Sequence, residues 1–193
     1  MLLPVLGAIA LLIWWDDGFP VIFRQARVGR HGKLFNILKF RTMRVHAPGL
    51  PITASGDHRV TRVGRSLRRF KLDELPQLMN VLRGDMSLIG PRPEVPEFVE
   101  LNDPRWRAVL SVRPGITDLA TLVCRDEERF LGATPDPARC YRETVLPAKL
   151  QLNLEYQRSR SFRQDLRLLF LTVRYSFFPA GFDPDRLCQR FLN

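Results

Sequence analysis

The sequence predicts a small α/β (α+β) domain that is mostly helical, carries one β-hairpin and associates with a membrane. Three observations lead to this fold class: an uncharged N-terminal run, two strand-like runs around a Gly-containing turn, and several amphipathic helical patterns. The 193 residues suffice for one domain with its own hydrophobic core. We divide the chain into an apolar membrane-associated segment (1–17), a main domain (18–178) and a C-terminal tail (179–193).

The first segment, MLLPVLGAIALLIWW, contains no charged residue. As a helix it would rise about 22 Å, less than the roughly 30 Å hydrocarbon core of a bilayer, so it should not span a membrane alone. Trp14 and Trp15 beside Asp16 and Asp17 resemble an interfacial anchor. A buried helix of a soluble protein is the alternative. Because the segment is apolar on every face, we expect it to enter the membrane.

The next two runs, VIFRQARV and KLFNILKFRTM, are rich in β-branched and aromatic residues and flank GRHG, which predicts a hairpin. The hairpin is strongly basic, and its cations would either face anionic headgroups or form an ordinary solvated surface. The segment that follows, VHAPGLPITASGDHR, is rich in Pro, Gly and Ser and predicts a mobile loop.

The net charge of the chain limits the classes of binding partner but does not select one of them. The formal net charge of +10 indicates an anionic partner, which could be nucleic acid, an acidic membrane surface or a phosphorylated small molecule. The three cysteines, Cys124, Cys140 and Cys188, lack the short paired spacings of a zinc or redox site, so we expect reduced cytosolic thiols.

One run repeats arginine at every third position, at Arg59, Arg62, Arg65 and Arg68. Thr61 is a plausible N-cap, so a short helix would carry most of these arginines on one side, although Gly64 weakens it. Like charges three or four residues apart repel each other. The run therefore predicts an anion site, with a solvated face as the alternative.

The acidic pair Asp73 and Glu74 follows this run directly. Next comes ELPQLMNVLRG, where Leu75, Leu78, Met79 and Leu82 form an apolar helical stripe and Gly84 supplies a stop. Asp73 is a natural N-cap for that helix, with Glu74 in its first turn. Capping alone would explain both acids, so their spacing leaves a structural and a chemical role open.

Two arginines then lie in stiff proline-containing segments, Arg92 in GPRPE and Arg113 in RPGIT, which suits phosphate recognition but also fits surface turns. Further on, Ala138 to Tyr156 predicts a helix that is interrupted or kinked at Pro147. The run SFRQDLRLLFLTVRYSFF predicts an amphipathic helix, either in the core or at a membrane interface. The tail after it carries no functional pattern.

In their order, KFRTM, RVTRVGRSLRRFKLDELPQLMNVLRGDMSLIGPRPE and RPGIT resemble the bacterial sugar transferases, which are monotopic phosphoglycosyl transferases. The resemblance runs from about Pro4 to Thr172. It implies transfer of a sugar 1-phosphate from a UDP-sugar to a polyprenol phosphate such as undecaprenyl phosphate, with release of UMP. It also implies magnesium, a covalent intermediate, and work at the cytoplasmic face of a bacterial inner membrane, where polysaccharide or glycoprotein glycan synthesis begins.

The resemblance also assigns roles to residues. Asp73 matches the family's nucleophile, and we expect a helix N-terminus to help keep it deprotonated. Glu74 matches the second acid, with magnesium coordination and acid–base support both open, so Asp73 and Glu74 are the implied magnesium ligands. The implied phosphate site comprises Lys39, Arg41, Arg68, Arg92 and, more weakly, Arg113. For Asp85 a metal contact and a structural role after the helix cap are both open, and we favour the structural role.

The chain departs from the family pattern in two places. Members usually have a longer apolar N-terminus that forms a re-entrant helix broken at a proline; Pro4 matches the break, but little precedes it. Many members continue RPGIT with a glycine and an aromatic residue, then Gln-Val, whereas this chain reads DLATLVCRDEE, so sugar preference does not transfer. The rival hypotheses are a nucleic-acid-binding module, which has no use for the acidic pair, and an inactive membrane scaffold. We expect no nucleic-acid partner, and a homodimer stays open.

Overall fold

The computed structural model describes residues 2–45, 56–178, 182–184, 187, 188 and 191. Most of the predicted mobile loop, 46–55, lies outside the described residues. The mixed fold that the sequence predicts is confirmed: helices surround an antiparallel hairpin and a short two-stranded parallel sheet.

The N-terminal segment forms helix α1 (Leu2–Asp17), as predicted. Its inner side packs Ile9 and Ile13 into a cluster with Phe40 and Leu67 of the main domain. Burying these side chains fixes one face of α1 on the domain.

The outer side of α1 is apolar and open. Leu3 is 81% exposed and Trp15 is 84% exposed. In the described part of the chain, every helix is too short or too polar to cross a bilayer. Entry of α1 into a membrane therefore stays a prediction.

The predicted hairpin is confirmed. Strands β1 (Ile22–Val28) and β2 (Leu34–Phe40) pair antiparallel along their whole length. The turn between them places His31 and Gly32 in the left-handed region, at φ 57° and 78°. Val28, Ile37 and Phe40 are buried, whereas Arg24 is exposed and Arg27 and Lys39 line a cleft in the domain.

Helix α2 (Arg62–Arg69) begins at the predicted cap, since Thr61 Oγ1 accepts a hydrogen bond from Gly64 N–H at 2.9 Å. Gly64 has a further role that the sequence did not indicate. The helix lies so close to the main chain after β2 that a Cβ at Gly64 would be 2.2 Å from Thr42 O. A glycine permits this approach, which brings the arginine-rich helix against the base of the hairpin.

The acidic pair does not cap a helix, so the predicted N-cap is wrong. Asp73 and Glu74 lie in a 3₁₀ turn (Leu72–Glu74), and helix α3 (Gln77–Arg83) begins only after Pro76. The residue before α3 is Pro76, and among the described residues its N-cap position makes no side-chain hydrogen bond to the helix. The proline keeps the intervening residues in a tight turn instead of extending α3 back to Asp73.

The apolar stripe predicted for α3 does not form its buried face. Met79 and Leu82 are 47% and 80% exposed, whereas Gln77 and Asn80 are fully buried. The Asn80 side chain binds the free edge of β2, where its Nδ2 donates to Asn36 O at 2.8 Å and its Oδ1 accepts from Leu38 N–H at 3.0 Å. Satisfying these main-chain groups turns the polar side of α3 inward.

The two arginine–proline segments are brought together by a parallel pair of strands, β3 (Ser87–Ile89) and β4 (Gly115–Thr117). Beyond β3, the chain comes so close to β4 that a Cβ at Gly115 would be 2.1 Å from Gly90 N. Glycine at both positions therefore lets the two segments run side by side.

The remaining helices complete the core: α4 (Pro104–Val109), α5 (Leu119–Val123), α6 (Glu127–Gly132), α7 (Pro137–Cys140), α8 (Leu146–Ser159) and α9 (Phe162–Phe177). A π turn (Tyr141–Val145) separates α7 from α8 just before Pro147, which lies in the first turn of α8, so the predicted interruption of the helix is confirmed. The helix predicted for the last apolar run is confirmed as α9, and Ser161 caps its start. From the tail, Leu187 and Phe191 pack with Tyr156, so this part of the tail belongs to the core.

Candidate active site

The acidic pair opens onto a cleft of about 870 Å³ between α2, the hairpin, the Arg92 segment and the α5–α6 region. The walls carry both charge signs, but cations predominate around the acidic pair. Of the site residues predicted from the sequence, the cleft brings together Lys39, Arg68, Asp73, Glu74 and Arg92.

A tight reversal of the chain presents the acids. Lys71 adopts a left-handed conformation (φ 58°) directly after α2, and its N–H donates to Arg68 O at 3.1 Å. Glu74 N–H then donates to Lys71 O at 3.3 Å. The turn places Asp73 and Glu74 between the arginine-rich helix and strand β2.

Glu74 is clamped by two cations. Arg92 binds it with both ends of the guanidinium fork, Nη1 to Oε2 at 3.1 Å and Nη2 to Oε1. Lys39 Nζ donates to Oε1 at 3.3 Å. A bidentate arginine fixes the carboxylate in orientation as well as in charge.

These contacts set the protonation of the cluster. Burial alone would raise the pKa of Glu74, but the charges of Arg92 and Lys39 outweigh it and hold that pKa well below its ordinary value. Burial lowers the pKa of Lys39 to about 8, although Glu74 acts in the opposite direction. Glu74 is therefore an anion at neutral pH and holds no proton to donate.

Asp73 lies in a different environment from its neighbour. It is buried, and its Oδ1 accepts no hydrogen bond from any group that the structure describes. Burial raises the pKa of Asp73, opposed mainly by the charge of Lys39. The expectation that helix amides keep this carboxylate deprotonated is wrong, because Asp73 lies in the turn ahead of α3. A poorly solvated carboxylate is a stronger base than an exposed one.

Arg92 is held at its main chain as well. Its N–H donates to Asp118 Oδ2 at 2.8 Å, and Nη1 also donates to Ile116 O at 3.2 Å. The sequence interpretation missed Asp118. The available signal was its position before LATLV, where Asp is a typical N-cap; it does cap α5, accepting from Thr121 N–H.

The arginine run reaches the cleft only in part. Arg65 and Arg68 line it, and Arg68 donates to Glu128 on the opposite wall. Arg62 is exposed and does not line it, and Arg59 binds Asp57 at 2.9 Å ahead of the helix. Lys39 of β2 and Arg92 thus bind Glu74 directly, while Lys71 and Arg68 act on Asp73 through their charges.

Two residues predicted for the phosphate site are placed elsewhere. Arg41 is buried, and its Nη2 donates to the carbonyls of Asp17 and Gly18 at 2.7 and 2.8 Å, which ties the end of α1 to the hairpin. Arg113 is exposed outside the cleft as the structure describes it. Asp85 is also outside and contacts Asn80 at 3.4 Å, in keeping with a structural role.

A magnesium ion fits Asp73 better than Glu74. Oδ1 of Asp73 is a buried acceptor that receives no hydrogen bond from the described residues, whereas both oxygens of Glu74 are bound by Arg92 and Lys39. Among the described side chains there is no group of three or more His, Cys, Asp or Glu residues able to hold a metal. Mg²⁺ commonly takes one or two carboxylates and completes its shell with substrate phosphate oxygens and water.

Comparison with known proteins identifies a family and several relatives of this chain. The family model described as bacterial sugar transferase matches residues 1–179. The chain is 39% identical over 175 residues to the UDP-glucose:undecaprenyl-phosphate glucose-1-phosphate transferase of Caulobacter vibrioides, covering 88% of this chain and 61% of that protein. It is 37% identical over 183 residues to the protein of the same name from Escherichia coli, covering 90% of this chain and 36% of that protein.

A shorter relative aligns over most of its length. The exopolysaccharide production protein PSS of Rhizobium leguminosarum is 36% identical over 182 residues, which are 90% of this chain and 86% of that protein. By contrast, the chain spans only 61% and 36% of the two glucose-1-phosphate transferases. The family match nevertheless covers nearly the whole chain, including the acidic pair and the Arg92 segment. The chain therefore belongs to the bacterial sugar transferase family.

Proposed function

We propose that this chain transfers a sugar 1-phosphate from a UDP-sugar to undecaprenyl phosphate, yielding undecaprenyl diphosphate sugar and UMP. The observation that carries the proposal is the contrast within the acidic pair. Asp73 lies beside a cleft and has an oxygen with no hydrogen bond from the part of the chain that the structure describes, whereas Glu74 next to it binds two cations. The names of the relatives supply the acceptor, undecaprenyl phosphate, and a UDP-sugar donor.

In the first step, the donor diphosphate binds among Lys39, Arg68 and Arg92, whose charges offset its own. An oxygen of the Asp73 carboxylate attacks the phosphorus that bears the sugar. The bond from that phosphorus to the UMP oxygen breaks, and UMP leaves with the bonding electron pair. The product on the protein is an aspartyl phosphosugar.

In the second step, a phosphate oxygen of the lipid attacks the same phosphorus. The bond to Asp73 breaks, and the electron pair returns to the carboxylate, which regenerates the starting enzyme. Neither step requires Glu74 to donate a proton, in agreement with its lowered pKa. We assign Glu74 to the orientation of Arg92 and Lys39.

Magnesium bound at Asp73 would neutralise developing charge on the diphosphate and on departing UMP. The chain's own cations share this task. Arg92 presents a fixed fork toward the cleft, and Lys39, with a pKa of about 8, is mostly protonated at neutral pH.

We place the protein at the cytoplasmic face of the inner membrane. The support comes from apolar side chains that face solvent on α9 in helical register: Phe162, Leu166, Phe170, Val173 and Phe177. The open side of α1 carries Leu3 and Trp15 in the same way. Such faces suit an amphipathic helix in the headgroup region, where the lipid acceptor resides.

The test is UMP release from a panel of UDP-sugars with magnesium and undecaprenyl phosphate in detergent, comparing wild type with Asp73→Asn. We expect release by wild type with a preferred sugar and none by the variant. With the lipid omitted, mass spectrometry should find one sugar phosphate on the peptide containing Asp73. Release by a folded Asp73→Asn protein would exclude Asp73 as the nucleophile, and silence of the wild type across the panel would favour an inactive scaffold.

A further inference from the structure

Asp118 is a buried carboxylate that binds two different parts of the chain. Asp118 is only 1% exposed. Oδ1 accepts from Thr121 N–H and caps α5, while Oδ2 accepts from Arg92 N–H at 2.8 Å. Each oxygen therefore has a distinct task, one within its own helix and one at the cleft.

The parallel strands explain how Asp118 reaches Arg92. Ile89 of β3 pairs with Thr117 of β4, so the chain leaves both strands at the same end. Gly115 N–H donates to Pro91 O at 3.0 Å, which holds the start of the proline-rich segment against β4. Asp118 follows β4 directly and meets the main chain of Arg92 there.

Arg92 is consequently fixed at both ends. Asp118 holds its main chain, and Glu74 and the Ile116 carbonyl bind its guanidinium. Burial alone would lower the pKa of Arg92, but the nearby charges of Glu74 and Asp118 raise it. The neighbouring peptide is held as well, since Arg27 Nη1 donates to Pro93 O at 3.1 Å.

We propose that Asp118 is a positioning residue, which sets the main chain of Arg92 so that the guanidinium fork meets Glu74 and the bound diphosphate together. Its role in turnover rests on the proposed function, because Arg92 is assigned to the diphosphate only there. Asp118 stands in the segment where this chain departs from the pattern RPGIT-Gly. The contact is thus a feature of this sequence and not of that pattern.

The informative variant is Asp118→Ser. A serine hydroxyl can still cap α5 but is too short to hold Arg92 as well. The matched control is Asp136→Ser, because Asp136 caps α7 through Arg139 N–H at 3.0 Å and lies on the surface. Both variants make the same chemical change at a helix cap, but only one touches the Arg92 segment.

The first measurement is hydrogen exchange of the Arg92 amide, which needs no turnover. We expect exchange to accelerate in Asp118→Ser and to be unchanged in Asp136→Ser. The second is kcat/KM for UMP release, which should fall roughly ten- to a hundredfold in Asp118→Ser because small misplacements of a positioned group cost that much. Asp136→Ser should keep wild-type kinetics.

A third measurement separates positioning from general loss of stability. In an Arg92→Lys background, Asp118→Ser should lower kcat/KM by no more than about twofold, since residues acting through one another are not additive. A full additional loss in that background would overturn the proposal. So would unchanged exchange at Arg92, or kinetics in Asp118→Ser equal to those of Asp136→Ser.

If the wild type releases no UMP from any donor, the proposed function fails on its own. The exchange measurement then still decides whether Asp118 holds Arg92, because it does not depend on the reaction.

Discussion

Asp73 and Glu74 are adjacent and equally buried, each 7% exposed, yet the hydrogen bonding of their carboxylates differs. Both oxygens of Glu74 receive hydrogen bonds from cations, while Oδ1 of Asp73 receives none from the described chain. A buried acceptor without a partner costs free energy. Such a cost is typical of a group retained for reaction and not for folding.

This cost gives the first expected outcome. A carboxyl group whose pKa is raised by folding holds its proton more tightly in the folded state, so its contribution to stability falls as pH rises above the unfolded pKa of about 4. Asp73→Asn removes the charge and should raise the free energy of unfolding at pH 7 by about 1 kcal/mol. The gain should shrink toward pH 4. Thermal unfolding at both pH values measures it.

Asp103→Asn serves as the control, because the pKa of Asp103 is shifted in the opposite direction to that of Asp73. The hydrogen bond from Arg105 lowers the pKa of Asp103, so this carboxylate contributes stability above the unfolded pKa and loses it as pH falls through the folded one. Asp103→Asn should therefore not stabilise the protein at pH 7. Equal unfolding of Asp73→Asn and wild type at both pH values would contradict the conclusion that the burial cost of the Asp73 charge exceeds the effect of the nearby cations.

Arg92→Lys should lower kcat/KM by roughly a hundredfold, because losing one well-placed donor to a developing charge has that effect. A lysine is a point charge and cannot bind both oxygens of Glu74 while facing the diphosphate. UMP release kinetics measure the loss. Arg113→Lys makes the same change outside the cleft and should leave kcat/KM unchanged; a comparable loss there would restore Arg113 to the phosphate site.

Asn80→Asp should destabilise the fold by about 1–3 kcal/mol, since it faces Asn36 O with an acceptor in place of a donor. The Leu38 contact adjoins Lys39, so the ion pair of Lys39 with Glu74 should loosen and activity should fall as well. Denaturant unfolding gives the first effect. The control is Asn36→Asp, because Asn36 has an exposed side chain and contributes only its carbonyl; equal losses in the two variants would argue against the edge contact.

Much of the fold is predictable because its signals are local. The hairpin follows from strand-like runs around a turn, and α2 follows from Thr61 and the pattern after it. The acidic pair and Arg92 were identified by resemblance, and their convergence on one cleft agrees with it. Each of these features depends on residues close together in the chain or on a motif that keeps its order.

The rest depends on packing between distant segments. Arg41 and Lys39 lie in the same motif, but α1 ends where its carbonyls bind Arg41, so only Lys39 reaches the cleft. Helix α3 buries its polar side because Asn80 finds the edge of β2. Periodicity alone predicts that the apolar face of such a helix is buried. It carries no information about a distant strand edge whose main-chain groups need polar partners.

Gly64 shows most directly how a local propensity differs from the packing between distant segments. Intrinsic propensity favours alanine over glycine in a helix by up to about 1 kcal/mol, which gave the interpretation that Gly64 weakens α2. A Cβ at this position would lie 2.2 Å from the carbonyl oxygen of Thr42, a main-chain atom that cannot rotate away as the end of a side chain could.

We therefore expect Gly64→Ala to destabilise the protein by about 1–3 kcal/mol, the usual cost of overpacking. Gly7→Ala in α1 is the matched control, because no described atom outside its own turn lies within 4 Å of a Cβ there. Thermal unfolding of the two variants should shift in opposite directions, and a stabilised Gly64→Ala protein would show that α2 can move off the hairpin.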